Sequence, residues 1–265
     1  MSFRKSFLYC DVHSNALRQW KRIKIDDMEE KLRKPSKNYR CFASIQRYEK
    51  ARHEKGEPMW MPVFFDLDAK DPDVAREDVI HLTKYLTKQL DIPKEYIRVY
   101  FSGKKGFHVV VTPEVFDITP HPALHLKVKK ACLYISELLK LRSFDASVYS
   151  TRRGLRVHNS IHEGTKLFKI ELSHHDLHKK MDEILGMAKH PQKEAVWPDD
   201  IEDDVGIVED AKNFWDQQTA HVEEAKELSH LRPDRLIKDY GEFPVCIDHI
   251  LNLKELPKSN TGNRT

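Results

Sequence analysis

The stretch "FFDLDA" at residues 64–69 places two aspartates, Asp66 and Asp68, inside a run of bulky apolar residues. Aspartate is a poor strand former, and a carboxylate is rarely buried without a partner. The surrounding "PMWMPVFFDLD" at 58–68 is nevertheless typical of a core strand. Side chains alternate along a strand, so both carboxylates are expected on one face. They are either a ligand pair for a hard divalent cation such as Mg²⁺ or Mn²⁺, or exposed residues that end the strand.

The bulk composition is that of an ordinary globular protein. Its 265 residues are 40% hydrophobic and 33% charged, with a net charge of +3, which allows one large domain or two modest ones. Basic residues crowd the first 55 positions and acids crowd 199–210, a pattern compatible with a half that faces nucleic acid, or with solvated faces. Without a long apolar run or a signal peptide, we expect no membrane contact and a cytoplasmic protein, nucleoid-associated in a bacterium or archaeon.

The order of predicted elements indicates an α+β fold. Apolar residues spaced by three and four predict a helix at 71–90, with Asp73 as its N-cap, and another at 121–141. Strands are expected at 96–101, 107–111, 147–149, 154–158 and 167–172. The first 57 residues suggest helix and irregular structure anchored by apolar residues that include Trp20 and Phe42. Together these elements form a sheet built on a βαββ unit.

The chain divides into three predicted regions. Residues 1–190 form the main domain, 191–206 an acidic linker, and 207–265 a helical segment with a helix at 208–228; a further helix is expected at 174–189. The four cysteines form no CxxC pair, which argues against a disulfide framework and a structural zinc site.

A second motif, "SGKKGFHV" at 102–109, joins two predicted strands. Its glycines allow positive φ or a close approach of the backbone to a ligand. Ser102, Lys104, Lys105 and His108 supply a hydroxyl, two ammonium groups and an imidazole, which suit the oxygens of a polyphosphate. The alternative is a solvated basic hairpin with a half-buried histidine.

The third stretch runs from Phe144 to Leu172 and begins with Asp145, which is either a third carboxylate for a metal site or a turn residue. Groups that bind phosphate are dense downstream: Arg152, Arg153, Arg156, His158, Ser160, His162 and Lys166.

The three motifs in this order resemble the archaeo-eukaryotic primase superfamily, above all the small catalytic primase subunit and the primase-polymerases. The resemblance covers about residues 40–172. The family's hydrophobic-D-hydrophobic-D pattern is met by "FFDLDA", and its serine–glycine–basic–basic–glycine–x–histidine by Ser102 to His108. Its later segment is met by Asp145, Arg156, Ser160, His162 and Thr165. The chain departs from the pattern at Val157/His158, where proline is usual, at Lys166, where glycine is common, and in lacking the zinc-binding knob.

The resemblance implies a primase-polymerase catalytic core with an RRM-like sheet and a C-terminal helical segment. It implies template-directed synthesis of primers from NTPs or dNTPs on single-stranded DNA. Asp66, Asp68 and Asp145 would hold two Mg²⁺ or Mn²⁺ ions. The nucleotide-binding residues would be Ser102, Lys104, Lys105, His108, Arg156, Ser160 and His162. A helicase or a large-subunit-like protein is the implied protein partner.

Other functions remain open at this stage. The same superfamily includes repair polymerases that fill gaps or bypass lesions without starting chains. A non-catalytic RRM-like module would bind nucleic acid through sheet aromatics, but three carboxylates on that face would repel phosphates. A metal-dependent nuclease would not need the flanking phosphate-binding groups.

The C-terminal "GEFPVCIDHILN" at 241–252 resembles the opening of the iron–sulfur domain of large primase subunits. Either the chain is the catalytic portion of a longer protein, or this resemblance is accidental. We expect no iron–sulfur cluster on this chain, because Cys246 stands alone and such clusters need about four ligands.

Overall fold

The computed structural model describes residues 3–17, 19–150, 153–193, 205–220 and 222. The strands are β1 (Tyr9–His13), β2 (Lys21–Lys24), β3 (Phe42–Ser44), β4 (Val63–Asp68), β5 (Ile97–Phe101), β6 (Gly106–Val111), β7 (Gly154–Arg156) and β8 (Ile170–Leu172). The helices are α1 (Lys34–Ser36), α2 (Pro72–Lys88), α3 (Leu124–Leu139), α4 (Met181–Met187) and α5 (Glu209–Thr219). The predicted α+β class is confirmed.

The central sheet consists of β4, β6, β5 and β8 in that order, with every pair antiparallel. Its inner strands are rich in Val, Ile and Phe, residues that suit a pleated surface buried on both sides. The register aligns Asp66 with His108, His108 with Tyr100, and Tyr100 with Glu171. Aligned residues point to one face, so this row of polar side chains crosses the whole sheet.

Helices α2 and α3 pack against the central sheet through apolar faces. Val79, Leu82 and Leu86 of α2 are buried, as the spacing predicts. The N-cap expected at Asp73 is wrong. Asp71 caps α2 instead, because its side chain accepts a 3.0 Å hydrogen bond from the amide of Asp73, and Pro72 fits the first helical position.

A short segment after α3 extends the central sheet beyond β4. The amide of Asp68 donates to the carbonyl of Ser143 at 2.7 Å, and the amide of Asp145 donates to the carbonyl of Asp66 at 2.9 Å. Leu67 and Phe144 form the antiparallel bridge between these bonds. The chain thus returns beside the first strand of the βαββ unit, and Asp145 comes next to the two aspartates.

The N-terminal sheet was not expected. It consists of β2, β1, β3 and β7 in that order, so residues predicted as helix and irregular structure contribute three strands. These strands have three to five residues each, too short for alternation to be visible in the sequence. Cys10, Val12, Ala43 and Val157 belong to a small core of their own, with Leu32.

The strand expected at 147–149 is wrong: Ala146–Val148 is a turn of 3₁₀ helix. The side chain of Asp145 accepts a 2.8 Å hydrogen bond from the amide of Ser147 and so caps this turn. The helix expected at 174–189 is shorter, comprising a 3₁₀ turn at Asp176–His178 and α4.

Helix α5 packs against α3, with the ring of Phe214 beside Tyr134 and that of Trp215 beside Phe116. The described residues up to Ala220 belong to one compact unit. Most of the acidic linker, the end of the predicted 208–228 helix and Cys246 lie outside the described residues. The predicted division into domains stays a prediction.

The helices and the cysteines of the described part of the chain were also compared with what the sequence predicts. Among its helices, none combines the length and apolar character that crossing a bilayer requires. Cys10, Cys41 and Cys132 are buried, and their thiols are free.

Candidate active site

A cleft lies between the polar row of the central sheet and strand β7 of the N-terminal sheet. Its lining consists of Phe42, Asp66, Asp68, Ser102, Lys104, Lys105, Gly106, His108, Arg153, Gly154, Leu155, Arg156 and His162. All the site residues expected from the sequence line this cleft except Asp145 and Ser160. The carboxylates occupy one wall, and the cationic and hydrogen-bonding groups surround them.

The carboxylate wall is electrostatically strained. Burial raises the pKa of Asp66 to about 6, and the nearby charges of Asp145 and Asp68 add to the effect. Asp145 is therefore close enough to influence Asp66, as the backbone bond between them requires. Lys105 offsets part of the charge, since its Nζ lies 3.3 Å from Oδ2 of Asp68.

These residues fit a divalent cation by the chemistry of their donors. Carboxylate oxygens are the ligands that Mg²⁺ and Mn²⁺ prefer, and a bound cation would relieve the repulsion that raises the pKa of Asp66. Within the residues that the structure describes, no three His, Cys, Asp or Glu side chains are already grouped as ligands. The third expected ligand, Asp145, uses its Oδ1 to accept the hydrogen bond from the amide of Ser147.

Sequence reasoning missed the residue that holds Asp145 in place. Asp78 of α2 is only 2% exposed, and its Oδ2 accepts hydrogen bonds from the amide and the hydroxyl of Ser143 at 2.8 and 2.7 Å. Ser143 begins the segment that pairs with β4. One sequence feature could have identified Asp78: it is a charged residue on the apolar face of an amphipathic helix, directly before Val79.

The turn between β5 and β6 presents Ser102, Lys104 and Lys105 to the cleft. It is closed by the amide of Ser102, which donates to the carbonyl of Gly106 at 2.9 Å. Gly103 has φ +87°, a conformation that a side chain would strain, so the positive φ expected for this turn is confirmed here. The hydroxyl of Thr165 donates to the carbonyl of Gly103 at 2.5 Å and ties the turn to the segment that carries His162.

His162 is oriented as a hydrogen-bond donor. Its Nδ1 accepts from the amides of Gly164 and Thr165 at 3.1 and 3.3 Å, which leaves the ring proton on Nε2. Burial, together with the nearby Arg156 and Lys104, lowers its pKa below the usual value. A neutral imidazole with Nε2–H in a phosphate-sized cleft can donate to an anionic oxygen.

Two arginines of the β7 segment face the carboxylates. Arg156 donates from Nη1 to the carbonyl of Ile161 at 3.1 Å, and its guanidinium lies 4.8 Å from the ring centroid of Phe42. Burial lowers its pKa. The Nε of Arg153 is buried without a hydrogen-bond partner in the described structure. Both arginines line the cleft, where a guanidinium can bind an anion. Arg152 lies outside the described residues.

Lys169 is a second residue that sequence reasoning missed. It is 1% exposed, and burial lowers its pKa to about 7, partly offset by the carboxylate of Asp66. Its Nζ donates to the carbonyl of Arg156 at 2.9 Å and lies 4.5 Å from the ring centroid of Tyr100. His108 lies nearby, with a pKa well below its usual value because it is buried among cations, and its Nε2 is 3.8 Å from Oδ1 of Asp66.

Ser160 and His158, by contrast, do not line the cleft. The Oγ of Ser160 is buried and accepts from the amide of Cys41 at 2.9 Å, which joins this segment to β3. His158 lies 2.5 Å from Oε1 of Gln192 through its Nε2. Lys166, where the family pattern has glycine, adopts φ +62°, the backbone conformation that glycine adopts most readily.

Comparison with known proteins gives no match to a protein-family model and none to a curated protein. Among solved structures, the chain is similar to the AEP domain of the cyanophage S-2L primase-polymerase, with 10% identity and a TM-score of 0.40, over 64% of this chain and 84% of that one. It is also similar to the polymerase domain of Mycobacterium tuberculosis ligase D, solved in complex with DNA, with 15% identity and a TM-score of 0.40, over 68% and 70% of the two chains.

A third similar structure is the primase RepB′, with 11% identity and a TM-score of 0.35, over 90% of this chain and 73% of that one. All three TM-scores are below 0.5 and all three identities are at or below 15%. Substrate and mechanism have to be argued from the side chains of the cleft.

Proposed function

We propose that this chain is a nucleotidyltransferase of the primase-polymerase type, which synthesises primers on single-stranded DNA from nucleoside triphosphates. One observation carries the proposal: a single cleft joins the Asp66 and Asp68 carboxylates, with Asp145 beside them, to a surrounding set of cations and hydrogen-bond donors. Phosphoryl transfer needs both carboxylates that hold a cation and donors that hold the phosphates. Catalysis depends on positioning the phosphates and neutralising the charge that develops on them.

The phosphate chain of the nucleotide would be held by groups that approach from two sides. The β5–β6 turn offers the hydroxyl of Ser102 and the ammonium groups of Lys104 and Lys105. The β7 segment and the loop after it offer the guanidinium groups and the Nε2–H of His162. The tie from Thr165 to Gly103 keeps the two sides at a fixed separation, which reduces the ordering needed when the substrate binds.

The cation would be held by Asp66, Asp68 and Asp145. When bound, Mg²⁺ or Mn²⁺ supplies positive charge to the triphosphate oxygens and lowers the pKa of a hydroxyl that it coordinates. His108 is neutral and lies beside Asp66 on the neighbouring strand, so it does not neutralise the carboxylate as a cation would. The buried ammonium of Lys169 lies on the same side and partly balances Asp66.

The other partners of the proposed enzyme follow from the same chemistry. A template and a primer strand would be bound largely through phosphates by basic residues of the N-terminal region, which makes binding sensitive to salt. A helicase or a large-subunit-like protein would deliver the template. A gap-filling polymerase that cannot start chains is the alternative enzyme, and it would use the same cleft.

The test is a primer-synthesis assay on unprimed single-stranded DNA, with labelled NTPs or dNTPs and Mg²⁺ or Mn²⁺. The proposal predicts metal-dependent products from the wild-type protein and none from Asp66→Asn/Asp68→Asn. The matched control is Glu77→Gln/Asp73→Asn, which removes two carboxylates from the surface of α2 and should leave the products unchanged. A parallel reaction supplies an annealed primer.

The outcomes separate the functions. Products on unprimed template establish a primase-polymerase, and extension of the primer alone establishes the gap-filling alternative. Binding of single-stranded DNA with no product in either format would overturn the catalytic proposal. The chain would then be a nucleic-acid-binding module.

A further inference from the structure

The N-terminal sheet carries half-buried aromatic side chains on one face. The register aligns His13 of β1 with Phe42 of β3, and Phe42 with Arg156 of β7, so these three side chains form a row. Trp20 precedes β2 and lies over the same face, with its ring centroid 5.5 Å from that of His13. His13, Trp20 and Phe42 are all partly exposed, although the sequence suggested that Trp20 and Phe42 are apolar anchors.

The position of Trp20 is fixed by the residue beneath it. Gly154 lines the cleft, and a Cβ added there would lie 2.2 Å from Cη2 of Trp20. No real Cβ contact is so short, so only glycine allows the indole to lie against β7. The aromatic face is therefore continuous with the cleft, and it joins the cleft at Gly154 and Phe42.

The charges on this face suit a nucleic acid strand. The guanidinium of Arg156 lies 4.8 Å from the ring centroid of Phe42, and Arg153 lines the cleft beside them. Two acids lie beside this face, Asp11 and Glu57, and both pair with Arg22, at 3.1 and 2.8 Å. The side chains of all three are at most 7% exposed, so a bound strand would meet little of their charge. Aromatic rings beside cationic side chains are the arrangement with which sheets bind single strands, stacking successive bases and holding the phosphates between them.

We propose that His13, Trp20 and Phe42 form a base-stacking surface that binds the bases of a single-stranded nucleic acid as it leaves the cleft. This inference deepens the proposed function and rests on it, because it assigns the path of the template strand. A single nucleotide would occupy one ring, whereas a row of three rings matches a strand. The central sheet then serves the chemistry, and the N-terminal sheet holds the strand.

Binding of bases is measured apart from turnover. The protein carries Asp66→Asn/Asp68→Asn throughout, a chelator is present, and the probe is single-stranded dT of about 12 nucleotides. Stacking is expected to quench the emission of Trp20, and Trp20→Phe identifies that signal against the other three tryptophans. Trp20→Ala is expected to weaken binding roughly 5- to 100-fold. An abasic strand of the same length has the same phosphates and should bind Trp20→Ala and the parent equally.

Each result bears on the proposal. Quenching that disappears in Trp20→Phe, with a loss confined to strands that carry bases, supports it. An equal loss on the abasic strand, or no quenching by dT, overturns it. Quenching by free dTTP as strong as by the strand also overturns it, since the surface would then bind the incoming nucleotide. If the wild type synthesises primers but dT does not quench Trp20, the stacking surface is rejected and the proposed function stands. If dT quenches Trp20 but no primers are made, the surface stands and the proposed function is rejected.

Discussion

The amide of Asp145 donates a 2.9 Å hydrogen bond to the carbonyl of Asp66. These residues are far apart in the sequence, and this bond brings the first and third motifs of the site together. It also has an electrostatic cost, because Asp145 is one of the charges that raise the pKa of Asp66 to about 6. The cleft therefore stores repulsion that a cation or a proton can relieve.

The first prediction concerns the pH dependence of stability without metal. A raised pKa means that the folded state binds the Asp66 proton more tightly than the unfolded state. The stabilisation that this proton contributes is fully present below pH 3.8, the pKa of the unfolded state. It is lost as the pH rises through about 6, the pKa of the folded state. Asp66→Asn does not titrate, so its advantage over the wild type should grow by roughly 2–2.5 kcal/mol between pH 4 and pH 7.

Urea denaturation in the presence of a chelator, at several pH values, measures this difference. Adding Mn²⁺ at neutral pH should stabilise the wild type and leave the variant nearly unchanged, which serves as the internal control. A difference between the two proteins that stays constant with pH would show that Asp66 is not strained.

The second prediction concerns the anchor of the Asp145 segment. Asp78→Ala leaves the amide and hydroxyl of Ser143 without their buried acceptor, and we expect the unfolding free energy to fall by about 3 kcal/mol. Nucleotide incorporation should fall at least tenfold, since Asp145 loses its support. Glu77→Gln is the matched control, because Glu77 pairs with Arg142 on the surface and its loss should cost less than about 1 kcal/mol.

Incorporation is measured under conditions in which both proteins are folded, as checked by circular dichroism. Full activity in a folded Asp78→Ala protein would mean that the 143–145 segment keeps its place without this anchor. Asp78 would then serve stability alone.

The third prediction concerns the Nε2–H of His162. His162→Phe keeps a ring of similar size and removes the donor, so we expect the KM for the triphosphate to rise roughly tenfold, with a smaller change in kcat. Since the pKa of His162 is lowered, the neutral donor should work throughout the range above pH 7. Steady-state incorporation measures both constants, with the exposed His81→Phe as control. A drop in kcat alone would place His162 at the reacting atoms.

Those parts of the site that depend on neighbouring residues in the sequence could be predicted. The strand period placed Asp66 and Asp68 on one face, and the turn at 102–106 followed from its glycines. Asp145 was a weaker inference, because its place depends on pairing between β4 and a segment some 75 residues later, which no local pattern encodes. The charge of Asp78 interrupts an apolar helix face, and this was the one sequence feature that indicated the pairing.

The N-terminal sheet and Lys169 show what local patterns miss. Strands of three to five residues give too few alternations to be recognised, so Trp20 and Phe42 were interpreted as core residues. Lys169 stands in a segment dense in cations, and nothing in the sequence distinguishes the lysine that becomes buried from those that stay exposed. Burial is a property of the tertiary contacts.

The fourth prediction tests the contact between Trp20 and Gly154. Gly154→Ala places a methyl group against the indole and should destabilise the fold by about 1–3 kcal/mol. In the Trp20→Ala background the same change should cost almost nothing, so a double-mutant cycle should give a coupling energy of at least about 1 kcal/mol. Chemical denaturation of the four proteins measures it. Additive effects would mean that the indole moves aside freely and does not rest on β7.

The last prediction concerns the buried ammonium of Lys169. A pKa lowered from 10.5 to about 7 means that the folded state binds this proton less tightly than the unfolded state. The cost of burying the charge is therefore complete below pH 7 and is relieved as the pH rises toward 10.5. Lys169→Met removes the charge and keeps the volume, but it gives up the hydrogen bond to Arg156. Its stability relative to the wild type should be highest at pH 6 and should fall by several kcal/mol, on the order of 3–5, by pH 10.

Lys166→Met is the matched control, because it removes an exposed lysine of the same segment and shows the effect of losing surface charge. Denaturation curves between pH 6 and pH 10 supply the comparison. If the unfolding free energies of Lys169→Met and the wild type differ by a constant amount over this range, burial does not destabilise the ammonium. Lys169 would then contribute only its hydrogen bond to the Arg156 carbonyl. If the stability advantage of Lys169→Met falls with rising pH as expected, the buried ammonium that faces the carboxylates of the cleft lowers the stability of the fold. Selection for the chemistry of the cleft would then explain why a buried lysine stands where methionine would make the fold more stable.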